Sequence, residues 1–349
     1  MRQDYFHTQE YFRFIIYLLI FTILIFGKSL WKLLPIFLVL FILALPFKTA
    51  YDTQSIREQI AKNSRELKAA AKIFLPGKDN EVKLKLENDK KSIKENFPIG
   101  KNIISKIDKD ESVDIFTWEI FQLFINDLNW TPRPIFQSYN AYNPSLDNLN
   151  AEHFKGNNSP EKIIYKVAGI EDRYAIFDEP AVFQELLRNY NFVDFDSFGY
   201  GLLEKKDKLV EYKKVEISKE KEEFGQKIEI PEVKDGYLFC NIDIKLSLYG
   251  NLKNLLYKGD YIFIKFYFED SSREPVIKRF VRANGINGFY LSNYIGDIKD
   301  LNDTFEIQDN YRQLPGAIDS IEISSTNNYS YIEDFDIGFY KLNFPENNN

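Results

Sequence analysis

The sequence predicts a membrane-anchored protein of α/β plus all-β class, with an N-terminal two-helix transmembrane hairpin, a small α/β sheet domain and a C-terminal β-sandwich of jelly-roll type. Three observations predict this. An apolar block runs from Tyr11 to Phe47. Strand-like and helix-like patterns alternate from Val113 to Glu204. From about Val210, short strand-like runs separated by turn residues take over. The expected segments are a hairpin over 1–50, a helical stalk and connector over 51–110, an α/β domain over 111–208 and a β-sandwich over 209–346.

The apolar block holds two uncharged runs, Phe14–Phe26 and Leu33–Phe47, around Gly27, Lys28, Ser29 and Lys32. Each is shorter than the roughly 20 residues that cross a bilayer core. Tyr11, Arg13, Trp31 and Lys48 lengthen them at the headgroups. Backbone in lipid must satisfy itself, so the form expected is a tight helical hairpin turning at Gly27–Ser29. A cleaved signal peptide has one apolar region and small residues at its cleavage site. Here there are two regions, and Lys48 precedes Thr49–Ala50. A buried hairpin in a soluble core is the other competing reading, opposed by runs that are apolar on all faces. Arg2, Arg13, Lys48 and Arg57 favour termini inside, whereas Lys28 and Lys32 favour the turn inside.

The 349 residues are 44% hydrophobic and 16% aromatic, enough for two cores after the anchor. Net charge is −7, with no basic arm, so nucleic acid is excluded as an expected partner. The single cysteine, Cys240, rules out an intrachain disulfide and sits in an apolar run, as a small buried residue would.

After the anchor, Asp52–Phe74 has helical spacing, with Ser55 and Glu58 at capping-box distance and Pro76–Gly77 as its stop. The alternation at Val82–Leu86 predicts a short strand followed by a helix. VDIF (Val113–Phe116) predicts a strand, and WEIFQLFINDL (Trp118–Leu128) a helix with Trp118, Phe121, Ile125 and Leu128 on one face. Pro134–Tyr139 is expected to be a second strand. Asn143-Pro144 reads as an N-cap followed by proline at the first helical position. EKIIYKVAG predicts a third strand, Pro180–Tyr190 a helix, and Phe192–Phe195 and Tyr200–Glu204 two more strands. The sandwich strands are expected at Val215–Ile217, Lys227–Ile230, Tyr237–Leu248, Tyr261–Phe268, Val276–Val281, Gly288–Leu291, Ile318–Ile323 and Ile337–Leu342. RANGINGFY (Arg282–Tyr290) is expected to be a hairpin loop.

The stretches VDIFTWE, LNWTPRPIFQSYNAYNPSLDNLNAEHF (Leu128–Phe154), Asp172–Tyr174 and RFVRANGINGFYLSNYI (Arg279–Ile295) resemble a segment of large bacterial polytopic membrane proteins of unassigned function. Some of those have the layout of membrane glycosyltransferases, with a C-terminal extracytoplasmic domain. The resemblance implies envelope-facing domains on the bacterial inner membrane. It assigns no reaction. This chain has room for only two spans, which points to a separately encoded multi-span membrane partner rather than to catalysis by the chain itself.

PRPIFQSYNAY is the best site candidate. At a strand end, Arg133 would grip an anionic group, Gln137 and Asn140 would read hydroxyls, and Tyr139 or Tyr142 would stack on a sugar face. The competing reading is that Arg133 and Gln137 satisfy buried backbone at an irregular corner. A secondary rim is expected at Arg279, Arg282 and Asn284. Asp194/Asp196 and Asp334/Asp336 share strand faces at i, i+2 and are otherwise solvated. His153 has no clustered ligands, so no metal is expected. His7 precedes the anchor. No Walker loop, GxGxxG or GxSxG occurs, so no cofactor is expected.

These readings favour a membrane-anchored cell-envelope accessory or binding protein, held on the lipid bilayer and recognising a glycan or a membrane partner. The alternatives are the soluble part of a glycosyltransferase-like enzyme working with a multi-span subunit, and a purely structural interaction module.

Overall fold

The computed structural model describes residues 79–343, apart from 157, 209–210, 234, 257–258, 307–313 and 315. The expected hairpin with its orientation, His7, the Asp52–Phe74 helix and the Asn347–Asn349 tail lie outside the described residues. Among the described residues no helix is long and apolar enough to cross a membrane. The chain divides into two compact units at Leu84/Lys85, and every element after the first helix belongs to the second unit.

Helix α1 spans Asp79–Asn96. It replaces the strand expected at Val82–Leu86. The five-residue alternation there finds no neighbouring strand, while Glu87/Lys91 at i, i+4 and a run of good helix formers favour the helix. A short helix α2 follows at Lys101–Ile104. Strand β1 (Ser112–Phe116) is buried on both faces from Val113 onward, as the uninterrupted apolar run of a central parallel strand requires. Helix α3 keeps only Phe121–Ile125 of the eleven-residue pattern, and β2 is the pair Asn129–Trp130.

Pro134–Tyr139 forms no strand. It is an irregular segment ending in a 3₁₀ turn at Ser138–Asn140. The cause is local: Pro134 has no N–H to give a ladder, and Asn150 takes the place of a partner strand. Its Oδ1 accepts from Ile135 N at 2.8 Å and its Nδ2 donates to Ile135 O at 2.9 Å. Helix α4 (Pro144–Lys155) starts as its sequence predicts, with Asn143 Oδ1 accepting from Leu146 N at 3.0 Å and Pro144 in the first turn.

Strand β3 (Lys162–Lys166), helix α5 (Pro180–Asn189) and the hairpin β4 (Tyr190–Phe195) and β5 (Tyr200–Lys205) complete a five-stranded sheet. Its order is β2-β1-β3-β5-β4, with the first three strands parallel and the last two joined antiparallel.

The rest is mostly antiparallel strand: β6 (Lys213–Glu223), β7 (Lys227–Glu229), β8 (Tyr237–Asp243), β9 (Ile262–Phe268), β10 (Val276–Phe280), β11 (Phe289–Tyr290), β12 (Ile318–Ser325) and β13 (Asp334–Asn343). They form two four-stranded sheets, β10-β9-β12-β7 and β11-β8-β13-β6. In β9 every second residue is buried, matching its apolar alternation.

Two helices interrupt this region where only strands and turns are expected: α6 (Leu248–Leu256) and α7 (Ile298–Glu306). Helix α6 ends the strand expected to run on to Leu248. Helix α7 buries Ile298, Leu301 and Thr304, and the Asp297 carboxylate caps it through Lys299 N and Asp300 N. RANGINGFY is not a hairpin loop. Arg282–Asn287 is a 3₁₀ segment linking β10 of one sheet to β11 of the other.

The α/β sheet and the antiparallel sheets share one core. Phe177, in a 3₁₀ turn ahead of α5, packs against Phe266, Phe280 and Phe289 at ring separations of 6.0, 5.0 and 4.6 Å. Tyr174 stacks on Tyr294 at 4.8 Å. A smaller cluster around Ile103, Val113, Ile115, Leu123 and Leu202 fills the other face of the sheet. Cys240 is fully buried, and burial pushes its thiol well above the ordinary range.

Candidate functional site

The parallel strands β1, β2 and β3 all point their carboxyl ends to one edge of the sheet, where ligands collect in open α/β folds. The residues that follow those ends are Thr117–Glu119, Thr131–Arg133 and Lys166–Val167. They build an inner layer and an outer layer.

The inner layer is closed. Arg133 has a side chain with no exposed surface. Its Nη1 donates to Asp114 Oδ2 at 2.7 Å and to Ile115 O at 3.0 Å. Its Nη2 donates to Ser138 Oγ at 3.0 Å and Thr117 O at 3.3 Å. Its Nε lies 3.4 Å from Glu179 Oε1, and the guanidinium stacks 3.8 Å from the Phe116 ring centre. Burial alone would lower its pKa, but Glu179 and Asp114 hold it above the ordinary value. Arg133 therefore does not face a ligand: its donors are taken up by two carboxylates and three oxygens of its own chain, which corrects the expected anion grip.

Around this pair the N-terminus of α5 gathers more acid. Asp147 accepts from Ala181 N, Val182 N and Asn287 Nδ2. Burial lifts its carboxyl to about 7 against those bonds. Asp178 lies 3.5 Å from Arg173 and is likewise lifted to about 7 by burial, with Arg173 opposing. A carboxyl raised from 3.8 in this way keeps in the folded state a proton that the unfolded chain releases. The stability it contributes is full below about pH 4 and is lost as pH rises through 7. The thermal midpoint is therefore expected to fall between about pH 5 and about pH 8. In Asp178→Asn part of that fall is expected to disappear, as a pH series of melting curves on the two proteins would register.

The outer layer is partly accessible: Glu119, Lys166 and Trp118 are half-buried, over a buried Tyr200. Lys166 Nζ lies 3.2 Å from both oxygens of Glu119. Tyr200 donates to Glu119 Oε2 at 2.8 Å and accepts from Gln122 Nε2 at 3.0 Å. Burial and the neighbouring Glu119 raise the Tyr200 phenol. The half-buried Trp118 meets Tyr139 edge to face at 5.9 Å. Lys166 is also on the wall of an open cleft of about 580 Å³, lined further by Phe195, Asp196, Ser197, Asp297 and Lys299. Another open cleft, of about 700 Å³, lies at the amino ends of the strands, where Lys162 is held by Glu111 and Glu204 and Glu161 by Ser112.

The structure brings Gln137, Tyr139 and Asn140 into one turn. Asn140 Nδ2 donates to Gln137 Oε1 at 2.8 Å, and Tyr139 O accepts from Arg173. Tyr142 is exposed just beyond.

The expected secondary rim is not assembled. Arg279 pairs with Glu171 and stacks 4.1 Å from Tyr261, Arg282 donates to Ile244 O, and Asn284 is buried, donating to Phe177 O and Asp178 O. Asn284 ties the 3₁₀ segment to the α/β layer, Arg279 ties β10 to it through Glu171, and Arg282 holds the segment to the chain just past β8. Asp194 and Asp196 do not converge on a ligand either. Asp194 takes Lys106 and Asn102, and Asp196 takes Gly100 N, Phe198 N and Tyr200 N. Asp334 pairs with Lys221. His153 is half-buried, and burial lowers its pKa. Among the described residues no cluster of histidine, cysteine or acids fits a metal ion.

The sequence reading missed Glu119, Lys166 and Tyr200. Glu119 lies three residues past β1, Lys166 ends β3 and Tyr200 opens β5; their meeting depends on the parallel register that sets Phe116 opposite Tyr165 and the antiparallel one that sets Lys166 opposite Tyr200.

No family model matches the chain, and no curated protein matches it in sequence.

Proposed function

We propose that this protein is a membrane-anchored accessory or binding protein of the bacterial cell envelope, one that recognises a glycan at the carboxyl ends of its parallel strands. The hairpin of residues 1–50 holds it on the inner membrane, with the described domains outside, beside a multi-span membrane partner. Its β-rich half is a jelly roll: numbering the eight strands in order, the two sheets run 1-8-3-6 and 2-7-4-5.

The observation that carries the glycan reading is the outer layer. A sugar presents hydroxyls at its edge and C–H groups on its face. The Lys166–Glu119 pair, Lys299 and the Gln137–Asn140 amides offer donors and acceptors for the first, and Trp118 and Tyr139 offer aromatic faces for the second. Binding is favoured over hydrolysis because the paired acids Asp194 and Asp196 are engaged by Lys106, Asn102 and backbone amides. Glycosidase carboxylates flank the scissile bond from two sides, whereas Asp194 and Asp196 stand two residues apart at the end of β4.

Calorimetric titration of cell-wall disaccharide and its oligomers into the full-length protein in mild detergent tests this reading. Saturable binding is expected. Trp118→Ala and Lys166→Ala are each expected to weaken it about tenfold, the equivalent of roughly 1.4 kcal/mol, with unchanged circular dichroism. Absence of any heat at millimolar sugar would remove the reading, and so would binding that both variants leave intact.

A further inference from the structure

A second group of rings stands on the segment that carries the candidate site. Phe124 of α3, Trp130 of β2 and Phe136 form a row, each edge to face with the next, at ring separations of 5.4 and 6.1 Å. Phe124 and Phe136 remain 53% and 39% exposed, and Trp130 is half-buried. The row is held from behind. Trp130 Nε1 donates to Asp114 Oδ1 at 3.2 Å, and Asp114 is itself fixed by the buried Arg133. Phe136 follows Ile135, whose N–H and C=O are both taken by Asn150. Rings placed before a ligand arrives lose little freedom when it binds.

One short stretch of chain joins the row to the site. Phe136 and Tyr139 are three residues apart, so their Cα atoms are separated by at most about 11 Å. Phe136 meets Trp130, Tyr139 meets Trp118, and the Gln137–Asn140 amide pair belongs to the same turn. The surface here is also free of unpaired charge. From Leu128 to Leu146 the chain holds one charged residue, the buried Arg133, in a protein that is 28% charged. Asp127, just ahead, is paired with Lys90, and Asp147, just behind, is buried. Besides its rings, the stretch presents Asn129, Thr131, Gln137 and Asn140 to solvent. It offers no cation to a phosphate or lipid headgroup and no acid to a basic peptide. Rings for C–H faces and neutral donors and acceptors for hydroxyls suit an uncharged sugar.

We infer that the ligand is an oligosaccharide chain rather than a single sugar: an uncharged unit next to the one held at Trp118 and Tyr139 lies on Trp130 and Phe136. The inference rests on the glycan reading and adds to it the length of the ligand and the residues that sense that length. Asp114 becomes a positioning residue, because it fixes the indole of Trp130 from the buried side.

The test is a calorimetric titration of N-acetylglucosamine and its linear two- and four-unit oligomers into the full-length protein in mild detergent. The four-unit chain is expected to bind at least about tenfold more tightly than the single sugar, the worth of one further stacked ring. In Phe136→Ala that ratio is expected to fall to about threefold or less. Trp130→Phe, which keeps a ring but drops the bond to Asp114, is expected to lower the ratio as well. Circular dichroism and melting curves check that both variants fold. Sugars that bind with affinities independent of chain length overturn the inference and leave the glycan reading standing. A length gain that both variants retain overturns it too, since the further units then lie elsewhere. If none of these neutral sugars binds, the inference fails, and titration of the cell-wall disaccharide decides whether the glycan reading fails with it. A dimer in light scattering that Phe136→Ala dissociates, with no length gain in the wild type, would assign the row to a second copy of the chain.

Discussion

Replacing Arg133 by alanine is expected to destabilise the protein by about 3–5 kcal/mol, the scale of breaking a buried ion pair from one side. The loss comes from what remains. Asp114 and Glu179, both buried, would lose their counter-ion, and Ile115 O and Thr117 O would lose a donor. Lysine is not a substitute, because a single ammonium cannot serve oxygens on both edges of the guanidinium plane and also stack on Phe116. The control is to remove all three charges together, as Asp114→Asn, Arg133→Met and Glu179→Gln. Since desolvating charge offsets most of what a buried pair contributes, the triple variant is expected to recover a large part of the loss. Chaotrope unfolding of the detergent-solubilised full-length protein, followed by tyrosine and tryptophan fluorescence, measures both. A loss under about 1 kcal/mol for Arg133→Ala would mean that the two carboxylates reach solvent without it. The guanidinium would then be free for an anion after all.

Arg133 also shows where a sequence stops being readable. Its position between two prolines marks an irregular corner, and that much is legible. Whether such a corner opens to solvent or closes on itself depends on Asp114 and Glu179, which are distant in sequence and reach it only once β1 and α5 are in place. The elements with a strong local signal are legible: the doubly buried β1 and β3, the Asn143-Pro144 cap of α4, and the two-residue alternation of β9. Those set by side chains from afar are not. Asn150 mimics a strand and so denies one to Pro134–Tyr139. Helix α6 turns its leucines outward, so its pattern blends with the alternation of β8 before it. Helix α7 has a signal that the strand-rich context obscures, an Asp297 cap ahead of Ile298 and Leu301. At the candidate site, Gln137, Tyr139 and Asn140 are legible as polar surface, but Glu119, Lys166 and Tyr200 meet only through the sheet register.

Asp147→Ala is expected to be the second severe change, for a different reason. Asp147 is an N-cap supplied from another helix. From α4 it accepts the Ala181 and Val182 amides that α5 leaves open at its start, and it holds Asn287 of the 3₁₀ segment. Removing the carboxylate orphans three donors in a buried place. At about 1–3 kcal/mol for each unsatisfied group, less what local relaxation returns, the expected loss is about 2–4 kcal/mol. The Asp147→Asn variant would keep one acceptor but set a side-chain amide against that of Asn287, so it is expected to lose less without reaching wild-type stability. The location of the loss carries more than its size. Asn287 and Gln184 both join α5 to the segment leading into β11, where Gln184 donates to Asn287 O and Gly288 O. In a shared core the disturbance should therefore cross from the α/β layer into the antiparallel sheets. Amide hydrogen exchange in Asp147→Ala is expected to speed up at Ala181 and Val182 and also at Phe289 and Tyr290. Faster exchange confined to α5, with β11 as protected as before, would show that the two layers stand independently and that the aromatic contacts of Phe177 do not couple them.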